Sequence, residues 1–122
     1  MRNSKPSCRY ILVVEDEVLI RFCTVIELQD AGLAVLEASD AEEGLQTFDE
    51  NPGIAIVFTD INMPGAFDGL SLAYKIFDRR PSVRLIITSG REEPKRSAMP
   101  VGARFLPKPY DHWSLTSLIL AT

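Results

Sequence analysis

The sequence predicts an α/β fold, a doubly wound parallel sheet of five strands with helices on both faces. Two observations carry that prediction. Short apolar runs alternate five times with stretches of helical spacing, the pattern of successive βα units. The runs also differ in composition: the first, third and fourth are almost wholly apolar, while the second and fifth are more polar or shorter. Strands buried on both faces read as continuous apolar runs, so the second and fifth belong at the edges, which gives the order 2-1-3-4-5.

Each element has its own warrant. Tyr10-Ile11-Leu12-Val13-Val14 is a short β-branched run, the mark of a strand covered on both sides. Val18, Leu19, Phe22, Val25, Ile26 and Gln29 follow at helical spacing and predict one apolar stripe facing inward. Ala31-Gly32 ends that helix, with glycine where a left-handed cap is needed. Ala34 to Ala38 is a weaker strand. Asp40-Ala41-Glu42-Glu43 sets an N-cap acid three residues before a second acid, a variant of the capping box. The helix it opens carries Leu45 and Phe48 and ends near Asn51-Pro52-Gly53.

Ile54 to Thr59 is the third strand, and Leu70, Ala73, Ile76 and Phe77 mark a helix that Pro81 closes. Arg84 to Thr88 is the fourth strand, with Ser89-Gly90 just past it. Between Glu92 and Met99, Pro94, Pro100 and Gly102 leave room for one or two helical turns, so the fourth helix is expected to be short or irregular, with raised mobility. Ala103 to Leu106 is a short fifth strand, and Asp111 caps a last helix running toward Leu120.

At 122 residues the chain is one domain with enough length for a hydrophobic core. It divides into a short N-terminal leader, residues 1–9, expected to be flexible, and a folded domain, residues 10–122. The net charge of -4 gives no reason to expect nucleic acid as a partner. No apolar stretch approaches the span of a membrane helix, and Met1 to Arg9 lacks the apolar centre of a signal peptide. A cytoplasmic location fits. Cys8 and Cys23 are too few for a disulfide framework and lack metal-ligand spacing; the expectation is one surface thiol and one packed thiol.

In a doubly wound sheet the functional crevice lies beyond the carboxyl ends of the strands. Glu15, Asp16 and Glu17 follow the first strand, Asp60 the third, Ser89 the fourth and Lys108 the fifth. With strands one, three and four adjacent, Glu15, Asp16 and Asp60 should converge. Two carboxylates about 4 Å apart repel by ~1 kcal/mol in water and ~4 kcal/mol at an effective dielectric near 20. Such a cluster calls for a cation, and hard oxygen ligands with positions left for water suit Mg²⁺. Singly, each residue has a plainer reading: Glu15 or Asp16 as a helix cap, Asp60 and Ser89 as turn formers, Lys108 as a surface charge. The joint pattern, one group at the exit of each strand in chain order, favours a site.

These residues carry a resemblance. VVEDE, TDINMPGAFDG, ITSG and FLPKPY resemble the motifs of a response-regulator receiver domain, the phosphoacceptor half of two-component signalling, and the likeness runs from Tyr10 to Leu120. It is closest to the single-domain regulators, whose fold is flavodoxin-like. The resemblance implies that Asp60 is the phosphorylated carboxylate. It implies that Asp16, Asp60 and the backbone carbonyl of Asn62 bind Mg²⁺, with Glu15 assisting through water. Ser89 and Lys108 would bind the phosphoryl group, Phe105 would be the aromatic switch, and Pro109 matches a cis-proline position. The donor would be a sensor histidine kinase or a histidine phosphotransfer protein. The output to a downstream protein, or to a second copy in a homodimer, would use the face of the fourth helix, fifth strand and fifth helix. The domain would catalyse its own phosphorylation and dephosphorylation without being an enzyme for another substrate.

Four features depart from the common pattern. Serine stands at position 89 where threonine is commoner, and Phe105 lacks a tyrosine hydroxyl. Gly65-Ala66-Phe67 makes the loop after Asp60 one residue longer, and the fourth helix is curtailed. Asn62 and Arg91 are candidates for tuning the phosphoryl lifetime, a solvated surface arginine being the plain alternative for Arg91. His112 and Trp113 read as a capping turn with a packed indole. Two other classes compete. A flavodoxin-like cofactor protein would need a phosphate loop where Glu15-Asp16-Glu17 repels phosphate. A phosphatase of haloacid-dehalogenase type would need Asp where Asn62 stands. Within the receiver reading, a stand-alone regulator and a domain cut from a hybrid kinase or transcription factor are the alternatives.

Overall fold

A computed structural model describes residues 9–91 and 93–121, with His112 described by its main chain alone. The leader expected over residues 1–9 lies outside the described residues except for Arg9, as does Cys8. The chain runs β1 (Tyr10–Val14), α1 (Val18–Asp30), β2 (Ala34–Ala38), α2 (Ala41–Glu50), β3 (Ile54–Asp60), α3 (Gly69–Arg79), β4 (Arg84–Ser89), β5 (Arg104–Pro107) and α4 (His112–Leu120). The strands form one parallel sheet in the order β2-β1-β3-β4-β5, as the composition of the runs predicts. Every residue of β1 and β4 after the first is buried, whereas β2 and β5 keep exposed positions. No helix among the described residues is long and apolar enough to cross a membrane.

Two cores flank the sheet. Leu12, Val14, Val57, Leu85 and Ile87 point to one side and meet Phe48 of α2 and Leu72, Ala73 and Ile76 of α3. Ile11, Val13, Phe58 and Ile86 point to the other and meet Val25 and Leu28 of α1 and Leu115 and Ile119 of α4. Each fully buried Leu or Ile is worth about 1.5–3 kcal/mol relative to exposure, so these two layers supply the driving force that holds the strand ends in place.

The helix ends follow the local chemistry. Asp40 accepts the Glu43 N–H at 2.8 Å, and Glu43 reaches back to the N–H of Ser39, one residue before the cap, a variant of the capping box. Asp68 and Asp111 cap α3 and α4 in the same way, accepting from Ser71 and Ser114. Gly32 takes a φ of 90°, and the Leu33 and Gly32 N–H groups bond back to the Leu28 and Gln29 carbonyls, a Schellman end for α1. A single 3-10 turn, Arg96–Ala98, occupies the place of a fourth helix, the short element that Pro94 and Pro100 predict.

Two expectations need correction. Of the expected stripe Val18, Leu19, Phe22, Val25, Ile26, Gln29, helix α1 buries only Val25: Val18, Leu19 and Phe22 are 65%, 77% and 59% exposed, and Ile26 is exposed too. Its inward residues are Thr24, Val25 and Leu28. The helix is apolar on several sides, so spacing alone selects the wrong face; Leu28, at the Schellman end, and Thr24 one turn before it set the rotation. Trp113 is 72% exposed and not a packed indole. Cys23, the one described thiol, is exposed and matches the expected surface thiol, while Cys8 lies outside the described residues.

Candidate phosphoacceptor site

The site stands at the carboxyl edge, where β1, β3, β4 and β5 end. Asp60 is the last residue of β3 and is 5% exposed; its strand neighbours Phe58 and Thr59 are buried, so the carboxylate is presented from a rigid frame. Glu15 follows β1 directly and is 3% exposed, with Asp16 half-buried beside it. One carboxylate oxygen from each of Glu15, Asp16 and Asp60 lies within 4.8 Å of the others, the convergence expected from the strand order. Their hard oxygen donors fit a divalent cation such as Mg²⁺.

Lys108 arrives from the end of β5. Its ammonium stands 2.8 Å from Glu15 Oε1 and 3.1 Å from Asp60 Oδ2, with the side chains almost entirely covered. Burial pushes the Glu15 carboxyl above the usual range, the hydrogen bond from Lys108 and the Glu17 N–H opposing it. Burial would lower the Lys108 pKa, but hydrogen bonds to Glu15 and Asp60 and the charges of both outweigh it and hold it above the ordinary lysine value. The lysine therefore stays charged, and the acids it serves stay tied to it. Its main chain is anchored by Lys108 N–H to the Ser89 carbonyl at 3.0 Å, and the Lys108–Pro109 peptide is cis, as expected for the family's proline position.

Glu15 also does the plainer job considered for it. Its Oε2 accepts the N–H of Glu17, the N-cap residue of α1, so one carboxylate steadies the helix start and pairs with the lysine. Arg21 holds the backbone of this corner, donating from one guanidinium nitrogen to the Glu15 carbonyl at 2.7 Å and from another to Glu37 at 3.0 Å. Sequence reasoning missed Arg21. The one available signal was a cation on the first turns of a helix otherwise apolar there.

Across the crevice, Ser89 ends β4 and is buried. Its Oγ accepts from Asn62 Nδ2 at 2.8 Å and from the Arg91 N–H at 3.0 Å. With both lone pairs engaged, the hydroxyl proton is the group left to donate. The Asn62 N–H in turn reaches Asp60 Oδ1 at 3.3 Å. Asn62 and Arg91 are themselves exposed, and Phe105 is half-buried against the core on the α2–α3 side, opposite Ile87 on β4.

The loop after Asp60 is folded back tightly. Gly69 N–H bonds the Ile61 carbonyl at 2.9 Å, and a Cβ on Gly69 would overlap the Asp60 carbonyl oxygen. Only glycine lets α3 begin so close to the end of β3. Within the longer segment, Gly65 takes a φ of 127°, and Phe67 packs against the α2–α3 core under the Lys75 ammonium, 4.9 Å away.

Comparison with known proteins matches this architecture to a family. Residues 11–120 match the model of the response regulator receiver domain. The sensor kinase CckA of Brucella abortus is 34% identical over 113 residues, covering 89% of this chain and 12% of that protein. The transcriptional regulatory protein PhoP of Escherichia coli is 36% identical over 104 residues, covering 82% of this chain and 45% of its own length. The chain thus spans less than half of either relative. Among solved structures, the response regulator protein TrrA of Thermotoga maritima, in complex with Mg(2+)-BeF, superposes with a TM-score of 0.79 at 27% identity, covering 91% of this chain and 96% of that one. A five-stranded sheet in this order, with an acid cluster, a hydroxyl and a lysine at its carboxyl edge and a family match along nearly its whole length, makes this chain a member of the response regulator receiver domain family.

Proposed function

We propose that this domain accepts a phosphoryl group on Asp60 from the phosphohistidine of a sensor histidine kinase or a histidine phosphotransfer protein, in a Mg²⁺-dependent reaction in the cytoplasm, and passes the signal to a protein partner. The observation that carries the reading is Asp60 itself: a buried carboxylate paired with Lys108, inside a cluster of acids, with Ser89 across the crevice. One Asp60 oxygen attacks phosphorus, the N–P bond of the donor breaks with its electron pair remaining on the imidazole, and an acyl phosphate forms. Lys108, already hydrogen-bonded to Asp60, stays beside the transferring group and offsets its charge, so positioning and electrostatics supply the catalysis. Asp16, Asp60 and the Asn62 main-chain carbonyl would hold Mg²⁺, with Glu15 assisting through water, and the ion when bound would offset the negative charge that develops on the phosphoryl oxygens. The solved complex of TrrA with Mg(2+)-BeF supports a role for Mg²⁺ here.

Ser89 donates its free hydroxyl proton to the phosphoryl group. Taking up that bond draws it from Asn62 and Arg91, and the space it leaves admits Phe105, which repacks the surface of the 96–98 turn, β5 and α4. That surface is the output, toward a downstream protein or a second copy. Asn62 and Arg91, through their hold on Ser89, set the lifetime of the acyl phosphate. The exposed α1 residues Val18, Leu19, Phe22 and Ile26 begin just after the acids, which favours this side for the approach of a protein donor. A second reading rests on length: the matched relatives are larger proteins, so the same phosphoacceptor chemistry would serve as one domain of a kinase or a transcriptional regulator.

The test is incubation with a small-molecule phosphodonor and Mg²⁺, followed by intact-mass measurement. Wild type should gain one phosphoryl group and Asp60→Asn none. A gain that survives in Asp60→Asn moves the acceptor elsewhere, and no gain in wild type removes the phosphoacceptor reading.

A further inference from the structure

The loop that carries Lys108 has few attachments. Its main chain is fixed to β4 through the Lys108 N–H, and the next residue, Pro109, has no N–H to give. The following residue supplies the second anchor through its side chain. Tyr110 reaches across to α1, where its hydroxyl lies 2.8 Å from Thr24 Oγ1. Its ring stands edge-on to Phe58 of β3, with centroids 5.3 Å apart and planes at 77°. Phe58 is two residues before Asp60 on the same strand, and Thr24 is 2% exposed in the middle of α1. The side chain therefore ties the lysine loop to the strand that presents the acceptor and to the helix that follows the acid pair.

Packing alone does not require this chemistry. A phenylalanine at 110 and a valine at 24 would fill the same volume without burying two hydroxyls, each of which must find a partner once out of water. What the polar pair adds is register: two hydroxyls within hydrogen-bond distance fix one relative placement of α1 and the loop, whereas apolar contacts tolerate sliding. Burial also raises the phenol above its ordinary pKa, so the hydroxyl keeps its proton across the physiological range. The cleft beside the pair is lined by Leu19, Cys23, Lys108 and Pro109, so the bond sits between the surface of α1 and the lysine itself.

We propose that Tyr110 is a positioning residue for Lys108: its hydroxyl, locked to Thr24, sets the lysine loop so that the ammonium stands between Glu15 and Asp60. The proposal rests on the phosphoacceptor reading for its kinetic consequence and on geometry alone for its placement of the lysine. Tyr110→Phe keeps the ring and its contact with Phe58 and removes only the bond to α1; Thr24→Val removes it from the other side, and Thr24→Ser retains it.

Phosphorylation by a small-molecule phosphodonor should slow by about three- to tenfold in Tyr110→Phe and Thr24→Val, the scale of one lost hydrogen bond acting through position. Thr24→Ser should keep the wild-type rate. In a Lys108→Ala background, Tyr110→Phe should cause no further loss, because the group it positions is gone; a general loosening of the fold would slow both backgrounds alike. Independently of phosphorylation, the side-chain NMR signal of isotope-labelled Lys108 should move toward that of an exposed lysine in Tyr110→Phe. A wild-type rate with an unmoved lysine signal, or an equal loss in the Lys108→Ala background, overturns the proposal while leaving the phosphoacceptor reading in place. Absence of phosphorylation in wild type defeats that reading, and the lysine signal then decides the positioning role by itself.

Discussion

Helices α2 and α3, on one side of the sheet, each begin at an aspartate cap and turn a single apolar stripe to the core; α1 and α4, on the other side, carry more apolar surface than the core can take. Of the large apolar residues exposed among the described residues, Tyr74 alone belongs to α2 or α3, whereas Val18, Leu19, Phe22 and Ile26 lie on α1 and Trp113 and Leu120 on α4. One layer is economical and the other is not, although both bury comparable aliphatic residues against the same strands. The difference teaches where the molecule is built for stability and where it keeps surface for something else. Apolar side chains left in water gain nothing for folding, and when grouped they mark a surface that another molecule covers. The layer with the surplus is also the one that holds Tyr110 and borders Lys108.

The sharpest way to break this comparison is to truncate matched residues on the two layers. Leu72 of α3 is fully buried, and Leu72→Ala should cost about 2–5 kcal/mol in urea denaturation, the transfer term plus the cavity. Leu19→Ala and Phe22→Ala on α1 should stay within about 0.5 kcal/mol of wild type. The two α1 variants should instead slow phosphotransfer from a histidine kinase while leaving the reaction with a small-molecule phosphodonor unchanged. A stability loss on α1 as large as that of Leu72→Ala would erase the distinction between the layers.

Gly69 probes the boundary between layer and site. A methyl group there would meet the Asp60 carbonyl oxygen, so either α3 retreats or the end of β3 shifts. Gly69→Ala should lose about 1–3 kcal/mol of stability, as overpacked sites do, and should lower the phosphorylation rate as well, because the displaced atom belongs to the acceptor residue. Separation of the two effects, with stability lost and the rate kept, would show that α3 yields and the acceptor does not.

The same contrast explains what could be read from the chain beforehand. The sheet order was legible because burial on two faces leaves an unbroken apolar run, and Ile54 to Phe58 and Leu85 to Ile87 are such runs. The acids, Ser89 and Lys108 were legible because a parallel sheet puts every strand exit on one edge, so residues far apart in sequence must meet. The rotation of α1 was not, because a helix with apolar residues around much of its circumference has no periodicity that singles out the core face. Spacing favoured Val18, Leu19, Phe22, Val25, Ile26 and Gln29, and packing kept only Val25 of these and added Thr24 and Leu28. Nor were Arg21 and Tyr110 visible as parts of the site: their roles depend on contacts of Arg21 with Glu37 and of Tyr110 with Thr24, made between separate elements that no local pattern connects.

The smallest test concerns the α2 cap, where the economical layer starts. The Ser39 N–H and hydroxyl, both donating to Glu43, hold its carboxyl below the ordinary value of 4.5, with the backbone bond the larger cause. A carboxyl whose pKa is depressed by folding contributes stability that is fully present above its unfolded pKa, because there the group is deprotonated in both states and stability no longer changes with pH. The contribution disappears as pH falls through the lower, folded value. Glu43→Gln should therefore be less stable than wild type at neutral pH, by no more than a few tenths of a kcal/mol since the group is largely exposed and screened by water. The gap should close as the pH is brought below 4.5 and on through the native value, followed by urea denaturation at each pH. A gap that persists at the acid end would mean that Glu43 acts at this helix start through its shape and its contact with Ser39, and that its charge contributes nothing there.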